Sequence, residues 1–269
     1  MTSYLFDMQP TFFINHGGGP CFFLKPGPMR STWKSLEDYL RGFIGQLATK
    51  PRALLVISGH WEEAVPTVNT SPAPPLLFDY HGFPDYTYQL TWPAPGSPDI
   101  AARVVELLNA ANIPNAVNDR RGYDHGVFVP LKVAFPEADV PVIQLSMQRG
   151  LQPKAHLAIG RALRPLRAEG VLIIGSGQTY HNMRGFDGST ADPKAEAFDA
   201  WLRAAVTRTD TRETSLVDWE AAPGARDAQP HEDHLLPLMV AAGAASGETA
   251  TVAFHGHALG KPISGFRFG

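Results

Sequence analysis

The sequence, 269 residues long, predicts an α/β fold: a single domain over residues 1–269, with a central mostly parallel or mixed sheet flanked by helices on both faces. Three observations predict it. Short runs of β-branched and aliphatic residues, at Thr11 to Asn15, Ala53 to Ser58, Val140 to Ser146, Val171 to Ile174 and Thr249 to Phe254, have the length and apolarity of buried strands. Amphipathic helical stretches alternate with these runs. Buried strands continue on both sides of every loop, with no internal repeat or low-complexity segment, so no domain boundary is indicated.

Taken in order, Pro10 precedes the first strand, which leads into the turn His16-Gly-Gly-Gly-Pro20. Three glycines beside a histidine let backbone approach a ligand closely. The stretch also reads as a flexible turn, and it lacks the lysine and spacing of a phosphate-binding loop. Ser31 or Thr32 caps a helix through about Ala48, with Trp33, Leu36, Tyr39, Leu40, Phe43 and Leu47 on one stripe. The strand Ala53 to Ser58 leads to Gly59 and His60, then to Glu62 and Glu63, two carboxylates able to orient an imidazole or supply charge near a metal. Asn69 to Gly96 is rich in proline and aromatics. It reads as a surface loop packed on the core or as an ordered cover giving a pocket aromatic walls.

Ser97-Pro98-Asp99 opens a helix to about Ala111, with Ile100, Val104, Leu107 and Leu108 inward. Asp124-His125-Gly126 sets an acid beside an imidazole, for a structural or a catalytic purpose, and Leu131 to Phe135 is a short helix. Pro153 to Glu169 is an amphipathic helix whose Arg161, Arg164 and Arg167 form a solvated face. Val171 to Ile174 is stopped by Gly175, Ser176 and Gly177, and a polar step delivers His181. A loop runs from Asn182 to Gly188, and a helix begins at Asp192-Pro193. Leu216 to Ala222 is short and helical, and Pro223 to Pro230 is a linker. His231-Glu-Asp-His234 then forms the first turn of a buried helix, which puts His231 and His234 on one face. His255-Gly-His257 lies beyond the last buried strand, and Ser264 to Gly269 is an edge strand or tail.

Composition excludes several classes. A net charge of −3 with no lysine-arginine cluster gives no basis for binding nucleic acid or an anionic membrane. No apolar run reaches the length of a membrane span. Cys21 is the only cysteine, so an intramolecular disulfide is impossible, which fits a reducing compartment. Met1 to Pro10 lacks the basic region and apolar core of a signal peptide, so a cytoplasmic location is expected.

What remains is the convergence of His16, His60 and His181. Each follows a buried strand beside small residues, and open α/β sheets bind ligands at that edge. Imidazoles plus a carboxylate suit a divalent transition metal: two histidines and one carboxylate form the facial set of non-haem iron(II) oxygenases, and the same ligands hold catalytic zinc. A nucleophilic serine is less well supported, because Gly175-Ser176-Gly177 lacks the longer elbow pattern. Redox chemistry at Cys21 has no resolving partner.

The ordered set Asn15-His-Gly-Gly-Gly-Pro20, Ser58-Gly-His-Trp-Glu62, His81-Gly-Phe-Pro84, Asp124-His-Gly126 with Val129-Pro-Leu131, Gly175-Ser-Gly177 with His181-Asn182, and Pro230-His-Glu-Asp-His-Leu-Leu-Pro-Leu238 spans almost the whole chain. It resembles the class III extradiol ring-cleavage dioxygenases, in the DOPA 4,5-dioxygenase branch of the LigB superfamily. The resemblance implies one divalent metal per chain, iron(II) for activity with zinc as the alternative. Its ligands would be His16, His60 and a residue of the His231 to His234 run. His234 is placed first by the resemblance. Glu232 is the alternative, and is favoured by the positive end of a helix. His181 matches the acid/base and His125 a second catalytic histidine beside the substrate. Tyr123 stands where an aliphatic residue is expected and Gln178-Thr-Tyr180 is unusual, which marks Tyr123 and Gln178 as substrate-side positions. The implied partners are a small aromatic diol of the catechol type and O2. A zinc hydrolase on the same site, and a non-catalytic binding protein that kept the fold, are the alternatives. Retention of every histidine argues against the second.

Overall fold

In the computed structural model, residues 8–186 and 192–269 are described. The leader reading of Met1 to Pro10 and the end of the loop to Gly188 therefore lie largely or partly outside the described residues. Among the described residues eight strands form one mixed sheet in the order β4-β3-β5-β2-β6-β1-β8-β7. They are β1 (Thr11–Asn15), β2 (Ala53–Glu63), β3 (Thr67–Asn69), β4 (Ala116–Asn118), β5 (Val142–Gln148), β6 (Val171–Gly177), β7 (Ala250–Ala258) and β8 (Lys261–Phe268). The centre, β5-β2-β6-β1, is parallel, while β8 joins β1 and β7 antiparallel. The helices are α1 (Pro28–Ser31), α2 (Lys34–Arg41), α3 (Pro98–Ala110), α4 (His125–Ala134), α5 (Pro153–Leu163), α6 (Pro165–Ala168), α7 (Pro193–Thr207), α8 (Arg212–Val217), α9 (Ala225–Ala228) and α10 (Leu236–Ala244). Among the described residues no helix is long and apolar enough to cross a membrane.

Alternation along β6 shows how the layers stack. A Cβ on Gly175 would meet Pro237 of α10, and one on Gly177 would meet the His234 backbone. Ser176 between them points the other way and donates to the Gly126 carbonyl of α4 at 2.5 Å. Helices therefore cover both faces, and the central strands are buried and mainly apolar because neither face meets water. The predicted start signals hold at α3 and α7. The Ser97 side chain accepts from the Ile100 amide and the Asp192 side chain from the Ala195 amide, each with proline in the first turn.

Several expectations are corrected. The helix expected from Ser31 to Ala48 is α1, α2 and a 3-10 turn, Phe43–Gln46, split at Gly42; Trp33, Leu36, Leu40 and Phe43 are still buried. The Pro153 to Glu169 helix breaks at Pro165, whose ring and missing N–H cannot continue it. The chain turns there, and Arg167 is buried, not solvated. Its guanidinium donates to the Gln9 carbonyl (2.7 Å), the Ala244 carbonyl (2.9 Å) and the Glu248 carboxylate (2.7 and 2.8 Å). The presumed linker contains α9. The C-terminal segment is an inner strand, because β8 finds partners on both sides and β7, which carries His255 and His257, is the edge.

Candidate metal centre and substrate cavity

A cavity of about 510 Å³ opens at the carboxyl edge of the parallel strands, and His16, His60, His125, Gln178, His181 and His234 all contribute to its lining. His16 directly follows β1, while His60 does not lie past its strand as expected. His60 lies within β2, which runs on to Glu63, and the register with β5 shifts between Ile57 and Glu62. Such an irregularity re-aims side chains. Glu62 and Glu63 do not orient His60. Glu63 accepts from the Trp61 indole at 3.0 Å, and Glu62 faces Arg149.

His231 to His234 precede α10 and are not part of it. Pro237 occupies the first turn of that helix, so the two histidines do not share a helical face. His231 is exposed, while His234 is buried and turned into the cavity. Glu232 is paired with Arg226 at 2.6 Å. The turn reaches the cavity because β6 ends in glycine: the His234 carbonyl accepts from the Gln178 amide at 3.0 Å, and a Cβ on Gly177 would stand 2.0 Å from that same carbonyl oxygen.

The three imidazoles meet through Nε2. His60 Nε2 lies 3.2 Å from His16 Nε2 and 3.2 Å from His234 Nε2. Two nitrogens each about 2.0–2.1 Å from one ion stand about 2.9 Å apart at a right angle and about 3.3 Å apart at a tetrahedral one. The observed spacing falls between, so the residues fit a single divalent ion. The tautomers agree with this. Ser176 gives its proton to Gly126, so its oxygen accepts from His16 Nδ1 at 3.3 Å, leaving the Nε2 lone pair directed inward. Burial first, and then the neighbouring imidazoles, push His16 and His234 well below the ordinary histidine range. Burial and His125 push His60 down to about 3, against the opposing pull of Asp79. All three are therefore neutral near pH 7, the form that binds metal.

Two further groups share members with this one: His60, Asp79 and His125, and His181, Asp233 and His234. Asp79 is already engaged, since its Oδ1 accepts from the His125 amide at 2.9 Å and from His125 Nδ1 at 2.8 Å. His125 is therefore held with Nε2 free. Although burial opposes it, the hydrogen bond from His125 holds the Asp79 carboxyl down to about 2. Asp124, the sequence neighbour of His125, points away from it. It accepts from Ser58 (2.7 Å), Gln144 (2.5 Å) and Arg121 (3.2 Å), and burial raises its pKa. Asp79 was not legible as this partner, because it sits in the proline-aromatic stretch far from His125 in sequence.

His181 lies on the loop after β6, its amide bonded to the Ala228 carbonyl at 2.9 Å. Its ring stacks on His234, centroids 3.3 Å apart at 18°. Burial lowers its pKa, while Asp233, 3.8 Å away, opposes the shift. Gln178 lines the cavity and donates to the Gly17 carbonyl at 2.9 Å; its buried Oε1 has no partner among the described residues. Tyr123 is corrected: it is fully buried outside the cavity lining, and its hydroxyl donates to the Val142 carbonyl at 2.8 Å. A phenol there satisfies a core carbonyl and meets no ligand. The proline-aromatic stretch does supply walls, through Tyr80 and Phe83.

The family model for the catalytic LigB subunit of aromatic ring-opening dioxygenase matches residues 10–266. A 4,5-DOPA dioxygenase extradiol of Beta vulgaris is 39% identical over 254 residues, covering 93% of this chain and 91% of that protein. One of Escherichia coli (strain K12) is 33% identical over 259 residues, covering 94% and 92%. The crystal structure of an uncharacterised protein of Escherichia coli K12 superposes with a TM-score of 0.77 at 30% identity, covering 97% of this chain and all of that one.

Proposed function

The chain belongs to the LigB family of aromatic ring-opening dioxygenases, and from that premise we propose that it opens the ring of a catechol-type diol with O2, with a divalent metal held by His16, His60 and His234. The observation that carries this reading is the convergence of three neutral imidazoles on one point in a cavity large enough for a substituted ring. Iron(II) bound there would supply the Lewis acidity that lowers the diol pKa and the electronic path between diol and O2. Glu232 is not needed as a ligand, since Arg226 holds it.

The remaining chemistry belongs to the chain. His181, neutral and placed against His234, accepts a proton from the incoming diol and returns it later in the cycle. His125, its Nδ1 hydrogen-bonded to Asp79, presents Nε2 to the cavity beside the ring. Tyr80 and Phe83 shield the diol from water. Both oxygen atoms of O2 end in the ring-opened product, a muconate semialdehyde type.

Oxygen uptake by iron(II)-reconstituted protein across a catechol panel tests the reading. One O2 consumed per ring opened is expected. Folded, metal-loaded protein that consumes no O2 with any catechol contradicts it, and ester hydrolysis under argon by the zinc form would point to the hydrolase.

A further inference from the structure

Beyond the histidines, the cavity wall is mainly apolar, its polar members being Asp79, Gln178 and the tyrosines Tyr80 and Tyr180. Met29, Trp33, Phe83, Met183, Phe186 and Leu259 form its apolar part, and two of them form an exposed rim, Met29 at 53% and Met183 at 70% exposure. Exposed methionines side by side with aromatics at a cavity mouth are costly in water and are stabilised when a ligand covers them. Among the described residues, no lysine or arginine lines the cavity. The nearest cations in sequence are otherwise placed. Arg30 is paired with Glu37 at 3.0 Å and Lys261 with Asp192 at 3.2 Å, while Arg184 is exposed on its turn and outside the lining. Residues 1–7 and 187–191 contain no lysine or arginine either. The rim contributes one exposed imidazole, His81, and the wall includes the carboxylate of Asp79.

We propose that the part of the substrate that does not react is apolar and uncharged, so that the enzyme takes an alkyl- or aryl-substituted catechol in preference to one bearing a carboxylate. This rests on the catechol reading above and narrows it. A carboxylate on the substituent loses water on entering this cavity and finds no lysine or arginine in its lining, a transfer that is unfavourable without a partner. An alkyl chain meets methionine and aromatic surface instead and gains from burial. The names of the relatives refer to DOPA, whose side chain carries both an ammonium and a carboxylate, so the inference separates this chain's preference from those names.

A matched pair of ligands tests it: 4-propylcatechol and 3-(3,4-dihydroxyphenyl)propanoate have the same three-carbon chain and differ in the carboxylate. Titration calorimetry of the zinc-loaded protein under argon reads binding without turnover, and oxygen uptake by the iron(II) form reads KM. The propanoate is expected to bind about 10-fold or more weakly in both measurements, with DOPA also weaker than 4-propylcatechol. A ratio below about 3, or a preference for DOPA, overturns the inference while leaving the catechol reading intact. Absence of oxygen uptake with every diol strikes the catechol reading instead, and the calorimetric ratio still decides the preference. Met183→Arg adds the missing cation at the rim and is expected to narrow the binding ratio by about two- to five-fold, the effect of one partly exposed ion pair. An unchanged ratio in the folded variant would show that the substituent does not reach this rim and would overturn the inference.

Discussion

Gly177→Ala tests whether the end of β6 positions His234 in the proposed metal site. The new Cβ would lie 2.0 Å from the His234 carbonyl oxygen and 3.1 Å from the Phe13 ring. Since Cβ contacts shorter than 3.0 Å are essentially never observed, the His234 backbone must retreat by at least about 1 Å. The same retreat strains the bond from the Gln178 amide to that carbonyl, now 3.0 Å. Metal–imidazole distances tolerate only about 0.2 Å, so a 1 Å shift removes His234 from coordination or distorts it severely. Overpacking itself costs about 1–3 kcal/mol, which leaves a folded protein. The assay is metal affinity by chelator competition, with circular dichroism and thermal melting on the same samples. Affinity is expected to fall by about 10–100-fold or more. Gly175→Ala is the control: its Cβ would meet the Pro237 carbonyl at 2.3 Å, inside α10 and away from the imidazoles. It is expected to lower the melting temperature similarly with a smaller loss of metal. Wild-type metal affinity in folded Gly177→Ala would refute the claim that this contact seats His234.

Three other expectations follow from the same geometry. His181→Ala is expected to retain metal and bind diol while turning over about 10²–10⁴-fold more slowly; loss of metal on analysis would make His181 a ligand, and near-normal turnover would remove it from proton transfer. Asp79→Ala frees His125 Nδ1 and is expected to lower turnover about 10–100-fold, with partial rescue in Asp79→Asn, whose amide oxygen still accepts; equal activity of both variants and wild type would show that the His125 orientation is set elsewhere. Acid should destabilise the metal-free protein, because imidazoles that protonate near 6.5 when unfolded stay neutral in the folded chain at His16, His60 and His234. The unfolded state then binds more protons below pH about 6.5, and stability falls by up to about 1.4 kcal/mol per histidine per pH unit as the pH drops through that value towards the folded pKa. Melting temperatures of the metal-free protein between pH 7.5 and 5.5 check this, and a flat profile would mean that these histidines are not buried neutral.

What the sequence made legible was mostly local. The runs at Thr11 and Val171 are apolar without alternation because helices cover both faces, and Ser97 and Asp192 announce their helices through caps that need only three following residues. The placement of His16 follows from the end of β1 and parallel order, whereas His60, expected past its strand, lies within β2. Features set by distant partners were not legible. Asp124 adjoins His125 yet serves Ser58, Gln144 and Arg121, while Asp79 takes the imidazole from 46 residues away. Arg167 has helical spacing for solvent, but the break at Pro165 turns it inward to Glu248. Helix polarity alone favoured Glu232 over His234. The helix starts only after Leu235, so the turn before it decides, and it directs the imidazole inward and the carboxylate to Arg226.

X-ray absorption of the iron(II)-loaded protein, repeated on His16→Ala, His60→Ala and Glu232→Gln, is the most direct measurement of the central claim. The predicted result is one iron per chain with three imidazole nitrogens at roughly 2.0–2.2 Å. Either histidine substitution should remove most of the metal from a folded chain, and Glu232→Gln should leave the spectrum unchanged. A carboxylate ligand that disappears in Glu232→Gln, or unchanged metal content in either histidine variant, would contradict the account.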